Sequence, residues 1–198
     1  MRKLIVFMQL SVDGVMQGPG GPGEDPSNGF TAGGWVMPFT DDMIGEVISE
    51  IAATEFDLLL GRKTYDIWIN YWPQHEEMPI GAAFAKARKY VVTHRNEGLT
   101  WPVSERIGGD IAQSIQQLKA VGDRELHVWG SSEMLQPLIA ADLVDEYRFW
   151  IPPVVLGAGK RLFGDAVPPR ALELIETRRN SKGTLLNTYR PTGAIPKA

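Results

Sequence analysis

Two cations that follow directly on a buried strand are the first chemistry this sequence offers. In Asp57-Leu58-Leu59-Leu60-Gly61-Arg62-Lys63-Thr64-Tyr65, three consecutive leucines read as a short strand buried on both faces. Gly61 ends it where the chain must turn without a side chain in the way. Arg62 and Lys63 then stand at the strand's carboxyl end, and Thr64 is placed to cap a helix beginning at Tyr65-Asp66-Ile67-Trp68. Strand, tight turn, two positive charges and a helix start make an anion site. Solvated basic residues on an ordinary turn fit the same letters. Two further strand ends repeat the pattern. Tyr90-Val91-Val92-Thr93 runs into His94 and Arg95. Leu126-His127-Val128-Trp129 runs into Gly130-Ser131-Ser132-Glu133, a junction whose backbone N–H groups can receive a pyrophosphate. Basic strand ends at Arg62-Lys63 and at Arg95 suit a ligand with several phosphates, with solvated loops as the alternative.

Other groups can handle protons or rings. Asp13, in Ser11-Val12-Asp13-Gly14, follows the strand Leu4 to Met8 at the end where open α/β sheets put ligands, although Asp-Gly also makes a plain turn. Asp41 and Asp42 follow Thr40, which is positioned as a helix cap; they are most simply helix-end charges, and one of them can face a pocket as a proton donor. Trp35, Met37 and Phe39 come directly after a glycine- and proline-rich segment at 17–34. They suit the wall of a pocket for a flat ring, or equally the anchoring of that segment to the core. Tyr65, Trp68, Tyr71 and Trp72 form a second aromatic group. His75, His94 and His127 lack metal-ligand spacing, and His127, alternating with apolar neighbours, reads as a packed strand residue.

These residues must be positioned by a chain of alternating strands and helices. Ile44, Val47, Ile48 and Ile51 keep the helical period, and 81–89 reads as an alanine-rich helix. Asp110 caps a helix carrying Ile111, Ile115 and Leu118, with Gln113 where a capping box wants it and Gly122 after the last turn. Pro137 is a local inconsistency in the helix that follows. The 17–34 segment lacks the Gly-Lys-Ser/Thr of a phosphate loop, and its length suits a lid, a binding loop or disorder. Beyond residue 143, Tyr147, Phe149 and Ile151 alternate with Glu146, Arg148 and Trp150, the mark of a half-buried and often antiparallel strand. Residues 171–176 and 184–189 predict a hairpin about Asn180-Ser181-Lys182-Gly183. One domain over residues 1–198 is expected, without repeats or linkers.

Composition narrows the class. The 198 residues carry a net charge of -4 and no basic run, which argues against nucleic acid or an anionic membrane as partner. With no cysteine there is no thiolate nucleophile and no cysteine zinc site. The run Leu4 to Met8 is too short to span a membrane and no small-residue cleavage site follows it, so a cytoplasmic protein with no metal is expected.

Taken in order, the pieces Ser11-Val12-Asp13-Gly14, Gly61-Arg62-Lys63-Thr64-Tyr65, Trp129-Gly130-Ser131-Ser132-Glu133, Leu143-Val144-Asp145-Glu146 and the run from Pro153 to Phe163 resemble the dihydrofolate reductase-like superfamily. They are most similar to the reductase domain of bacterial riboflavin biosynthesis and its stand-alone relatives. The resemblance implies an α/β, three-layer fold: a mixed, mostly parallel sheet, helices on both faces and a C-terminal antiparallel hairpin. It implies NADPH as hydride donor, with Gly61, Arg62, Lys63 and Thr64 along the phosphates and the adenosine ribose. Thr93, His94 and Arg95 would lie near the 2′-phosphate, Gly130, Ser131 and Ser132 on the pyrophosphate, and Val12 and Asp13 by the nicotinamide. Asp13 and Asp42 are the candidate catalytic residues, and Trp35, Phe39, Trp68 and Tyr71 the candidate substrate-binding ones. The substrate expected is a ribosylaminopyrimidine of riboflavin biosynthesis, a pterin or another small carbonyl or imine. A non-catalytic NADP(H)-binding sensor or scaffold is the alternative. The late antiparallel strands offer a homodimer surface, as in the family. No cysteine or spare length remains for the fused zinc deaminase, and the acidic residue on the first helix of dihydrofolate reductases is only loosely imitated by Asp41 or Asp42.

Overall fold

Apolar runs too uniform to have a wet face become the centre of the sheet. The computed structural model describes residues 1–164 and 167–196. In it β1 (Leu4–Gln9), β2 (Phe56–Gly61), β3 (Lys89–Val92), β4 (Ser104–Ile107), β5 (Glu125–Trp129) and β6 (Glu146–Ile151) lie parallel to one another. β7 (Ala171–Arg179) and β8 (Leu185–Gly193) form the C-terminal hairpin, antiparallel to β6 through β8. The order across the sheet is β4-β3-β2-β5-β1-β6-β8-β7.

Period-two alternation sends Leu4, Val6 and Met8 of β1 to one face and Ile5 and Phe7 to the other. On the first face lie α4 (Ile111–Ala120) and α5 (Ser132–Ala140), through Ile115, Leu135 and Leu138. On the second lie α1 (Asp42–Ala52) and α3 (Pro79–Lys86), through Ile44, Ile51, Ile80 and Phe84. The short α2 (Arg62–Trp68) adds Tyr65, fully buried, whose hydroxyl accepts the Trp101 N–H at 2.8 Å. The chain leaves β2 outward toward β3 but leaves β5 across β1 to β6. Neighbouring strands whose chains diverge open a crevice at their carboxyl ends.

Several local expectations are corrected. α2 begins at Arg62 with Gly61 as N-cap, so Thr64 lies inside the helix. α1 is capped at Asp41 rather than Thr40. The alanine-rich helix stops at Lys86, and Lys89 opens β3. β6 is not half-buried: it is parallel to β1 on one side and antiparallel to β8 on the other. Its Glu146 and Trp150 are buried along with Tyr147 and Phe149. The polar letters that suggested a wet face are paired inside, with Arg148 Nε on Glu146 Oε1 at 2.7 Å and its guanidinium 5.1 Å from the Phe7 ring centre. Asp110 does cap α4, accepting the Gln113 N–H at 2.8 Å. Among the described residues no helix is long and apolar enough to cross a membrane.

His127 is a core residue, 1 % exposed and stacked on Phe56 at 4.2 Å. Burial holds its imidazole below the ordinary range, against the pull of Glu125 on Nε2. The unfolded chain therefore takes up a proton that the folded one refuses. Stability is expected to fall as pH drops below about 6.5. His127→Leu removes this contribution, so urea denaturation at a series of pH values should show a flatter acid limb in the variant.

Candidate functional site

The divergence of β2 from β5 is built from three small residues. At the end of β2, the Gly61 N–H donates to Ser131 Oγ at 2.9 Å, and that hydroxyl donates to Thr64 Oγ1 at 3.0 Å. Gly61 has an ordinary φ of -73°, so no left-handed backbone calls for glycine there. A Cβ there would stand 3.4 Å from Ser131 Cβ. Ser131, the N-cap of α5, sits at φ 66°, ψ 48°. A left-handed serine costs of order 1–3 kcal/mol and persists only where its surroundings impose it. Here the hydrogen bonds that Ser131 Oγ makes with Gly61 and Thr64 hold it in place.

This junction forms the floor of a cleft of about 990 Å³ over the carboxyl ends of the parallel strands. Gly61, Arg62, Lys63, Thr64, Thr93, His94, Arg95, Gly130, Ser131 and Ser132 all line it. Three separate strand ends are thereby brought together. Its aromatic wall is Trp129, stacked on Phe7 at 4.4 Å, together with Trp68. The buried Trp129 Nε1–H has no acceptor among the described residues.

The charges in the lining come in paired sets. Asp66 lies between two guanidinium groups, with Arg62 Nε at 2.8 Å and Arg95 Nη1 at 3.7 Å. Arg62 also donates to the Glu97 carbonyl at 3.0 Å and so holds the loop after Arg95. At the other end, Asp25 of the glycine-rich segment accepts Lys63 Nζ at 2.6 Å and Lys160 Nζ at 2.9 Å. Burial works against the Asp25 charge, but Lys63, Ser27 and Lys160 together hold its carboxyl far below the usual range. Arg62, Lys63, Arg95 and Lys160 thus share the lining with Glu24, Asp25, Asp66 and Glu133. The lining is therefore balanced in charge, with four cations against four carboxylates, rather than positive overall.

The 17–34 segment is ordered by its own polar groups. Gln17 donates to the Asp25 and Ser27 carbonyls at 3.0 and 2.9 Å and accepts the Lys160 N–H at 3.0 Å. Trp35, 7 % exposed, donates its indole N–H to the Gln17 carbonyl at 2.8 Å. Trp35 therefore anchors the segment and lies outside the cleft lining. Phe39 also lies outside it, its carbonyl accepting Asn180 Nδ2 and Thr184 Oγ1 from the hairpin turn. Tyr71 is stacked on His75 at 4.0 Å, again away from the lining. Of the four aromatic residues expected around a substrate, only Trp68 lines the cleft.

The remaining expected residues lie elsewhere. Val12 is 63 % exposed outside the lining. Asp13 accepts Ser11 Oγ at 2.7 Å, Leu156 N–H at 3.0 Å and Gly157 N–H at 2.9 Å. These bonds, Ser11 foremost and then Leu156, hold it well below the carboxylate range. A carboxylate so saturated with donors fastens the 156–157 turn and is a poor proton source. Asp42 is exposed at the start of α1, outside the lining. Sequence reading missed Glu24, Asp25 and Lys160 as cleft residues; a lone acidic pair inside a glycine-rich segment was the available signal. Among the described residues no cluster of three or more histidine or acidic side chains could hold a metal ion.

With this geometry in hand, comparison places the chain. A family model for the RibD C-terminal domain matches residues 2–186. The uncharacterised protein YyaP of Bacillus subtilis strain 168 is 28 % identical over 200 residues, covering 97 % of this chain and 96 % of that protein. A putative riboflavin biosynthesis protein from Shewanella sp. PV-4 has a similar structure, with TM-score 0.66 and 20 % identity over 96 % of this chain and 99 % of that one. Dihydrofolate reductase from Enterococcus faecalis, solved with NADP(H) and RAB-propyl, superposes with TM-score 0.63 and 14 % identity over 96 % of each chain. At such identities the two structures establish a shared fold.

Proposed function

The chain belongs to the RibD C-terminal domain family, and from that premise we propose that it is an NADPH-dependent reductase acting on a small heterocyclic, carbonyl or imine substrate. The observation that carries this reading is the convergence of Arg62, Arg95 and Ser131 on one cleft. The residues present fit a phosphorylated dinucleotide. Backbone N–H groups of Gly130, Ser131 and Ser132 open α5, where the helix dipole favours a pyrophosphate. Arg95, with Thr93 and His94, suits the dianionic 2′-phosphate. Arg62, Lys63 and Thr64 line the path between them, and the unpaired Trp129 indole N–H is a donor in want of an acceptor. The E. faecalis enzyme, of the same fold, was solved with NADP(H).

When bound, the reduced nicotinamide supplies a hydride. The protein's part is to orient the two reactants and exclude water. With Val12 and Asp13 outside the lining, the nicotinamide is assigned to the β1 end of the cleft, by Met16, Gln17 and the Phe7–Trp129 wall. The substrate, a ribosylaminopyrimidine or a pterin, stacks there and against Trp68. A homodimer through β7 and β8 belongs to the same reading; the hairpin leaves Leu174 and Ile175 exposed.

The test is NADPH oxidation, followed by absorbance, against a panel of pteridines, ribosylaminopyrimidines and small carbonyl compounds. Turnover of one class is the expected result. Saturable binding with no oxidation of any member points to a sensor or scaffold, and absence of NADPH binding overturns the assignment.

A further inference from the structure

We propose that Glu24 is the proton donor of the reduction, an inference that rests on the reductase reading above. Reducing a C=N or C=O group takes a hydride on carbon and a proton on the heteroatom. The π bond of the acceptor breaks, a C–H bond forms with the hydride pair, and the reduced nicotinamide is oxidised. The heteroatom then takes the Glu24 carboxyl proton, and the carboxylate left behind is reprotonated from water. Asp13 and Asp42 lie outside the cleft, whereas four other carboxyl groups, Glu24, Asp25, Asp66 and Glu133, line it.

Elimination within the lining leaves one carboxyl. Asp25 is bound by Lys63 and Lys160, and Asp66 is bracketed by Arg62 and Arg95. Glu133 stands exposed in the first turn of α5, open to bulk water. Among the described residues Glu24 has no cationic partner within ion-pair distance. Its Oε2 accepts the Gly20 N–H at 2.6 Å and the Gly21 N–H at 3.3 Å, which fixes the side chain. Its Oε1 makes no hydrogen bond to the described protein atoms and is free to meet a ligand. A Cβ at Gly20 would stand 3.2 Å from Oε2 and would shift the carboxyl by a few tenths of an ångström.

The surroundings favour the protonated form of this group. Burial pushes the Glu24 carboxyl above its ordinary range, and the neighbouring Asp25 charge adds to the effect, while the two glycine N–H groups oppose it. Lys63 of α2 and Lys160 of the segment after β6, the cations of this end of the lining, are bound to Asp25. A carboxyl raised in this way holds its proton to higher pH than an ordinary glutamate, the direction a general acid needs.

The test compares the full-length wild type with Glu24→Gln, which keeps an acceptor for Gly20 and Gly21 but carries no transferable proton. NADPH affinity is read by fluorescence titration, and the rate of NADPH oxidation is read across pH with the substrate class that reacts. The proposal expects equal NADPH affinity and a rate about 10²-fold lower in the variant. It also expects a wild-type rate that declines as pH rises through the Glu24 titration, with that inflection missing from the variant. Independently of turnover, carboxyl NMR of labelled glutamate should show one resonance titrating above the ordinary glutamate range, absent from Glu24→Gln. A variant with the wild-type rate and pH profile overturns the proposal, as does a Glu24 resonance titrating in the ordinary range. A wild type that fails to bind NADPH overturns the reductase reading, and this inference with it.

Discussion

Replacing Arg62 and Arg95 together with alanine is expected to weaken NADPH binding by roughly 10²-fold or more and to weaken NADH binding far less. A charge-assisted hydrogen bond contributes about 1.5–3 kcal/mol, and each 1.4 kcal/mol is about tenfold in affinity. The two arginines are not equivalent. Arg95 is 68 % exposed and free to turn toward a 2′-phosphate, so Arg95→Ala alone should reduce mainly the preference for NADPH over NADH. Arg62 holds the Glu97 carbonyl and Asp66, so Arg62→Ala also loosens the loop that presents Arg95. Removing both strands the Asp66 carboxylate in the lining, where it repels phosphate. The double variant should therefore lose more than the sum of the singles. Fluorescence titrations with both nucleotides measure all of these quantities.

Asp57→Ala is expected to be the most destabilising change away from the cleft. Asp57 is 6 % exposed and pairs with the equally buried Arg2, which also donates to the Arg124 carbonyl. Removing the carboxylate leaves a guanidinium buried without its counter-charge, a loss of about 3–5 kcal/mol. For a chain of this size that lowers the melting temperature by roughly 10 °C. The pair closes the amino end of the sheet, opposite the cleft. The folded fraction should thus bind NADPH as the wild type does, which thermal melts and titrations below the transition will test.

These two sites also mark what a sequence can and cannot disclose. Leu58-Leu59-Leu60 and Tyr90-Val91-Val92 are legible because a strand covered on both faces leaves an unbroken apolar run. The carboxyl-end rule then points to Arg62, Arg95 and Ser131 without further help. The order of the strands is what brings them together, and that follows from the family pattern more than from any single motif. Trp35, Phe39 and Tyr71 defeat sequence reading for a physical reason. Beside a loop the direction of an aromatic residue is set by whatever it meets: the Gln17 carbonyl for Trp35, the hairpin turn on the backbone of Phe39, and the His75 ring for Tyr71. β6 misleads because Glu146 and Arg148 neutralise each other inside the fold. Asp25 and Lys160 meet across 135 residues, a separation at which no local pattern carries a signal. Thr64 looks like a helix cap because Gly61, the actual cap, gives no side-chain clue.

The cleft between β2 and β5 as the seat of the dinucleotide is tested most directly by backbone amide NMR of the labelled protein during NADPH titration. Saturable shifts concentrated on Gly61, Thr64, Arg95, Gly130, Ser131 and Ser132 are the expected result. Saturation with shifts confined to another face of the sheet, or no saturable shift at all, would contradict it.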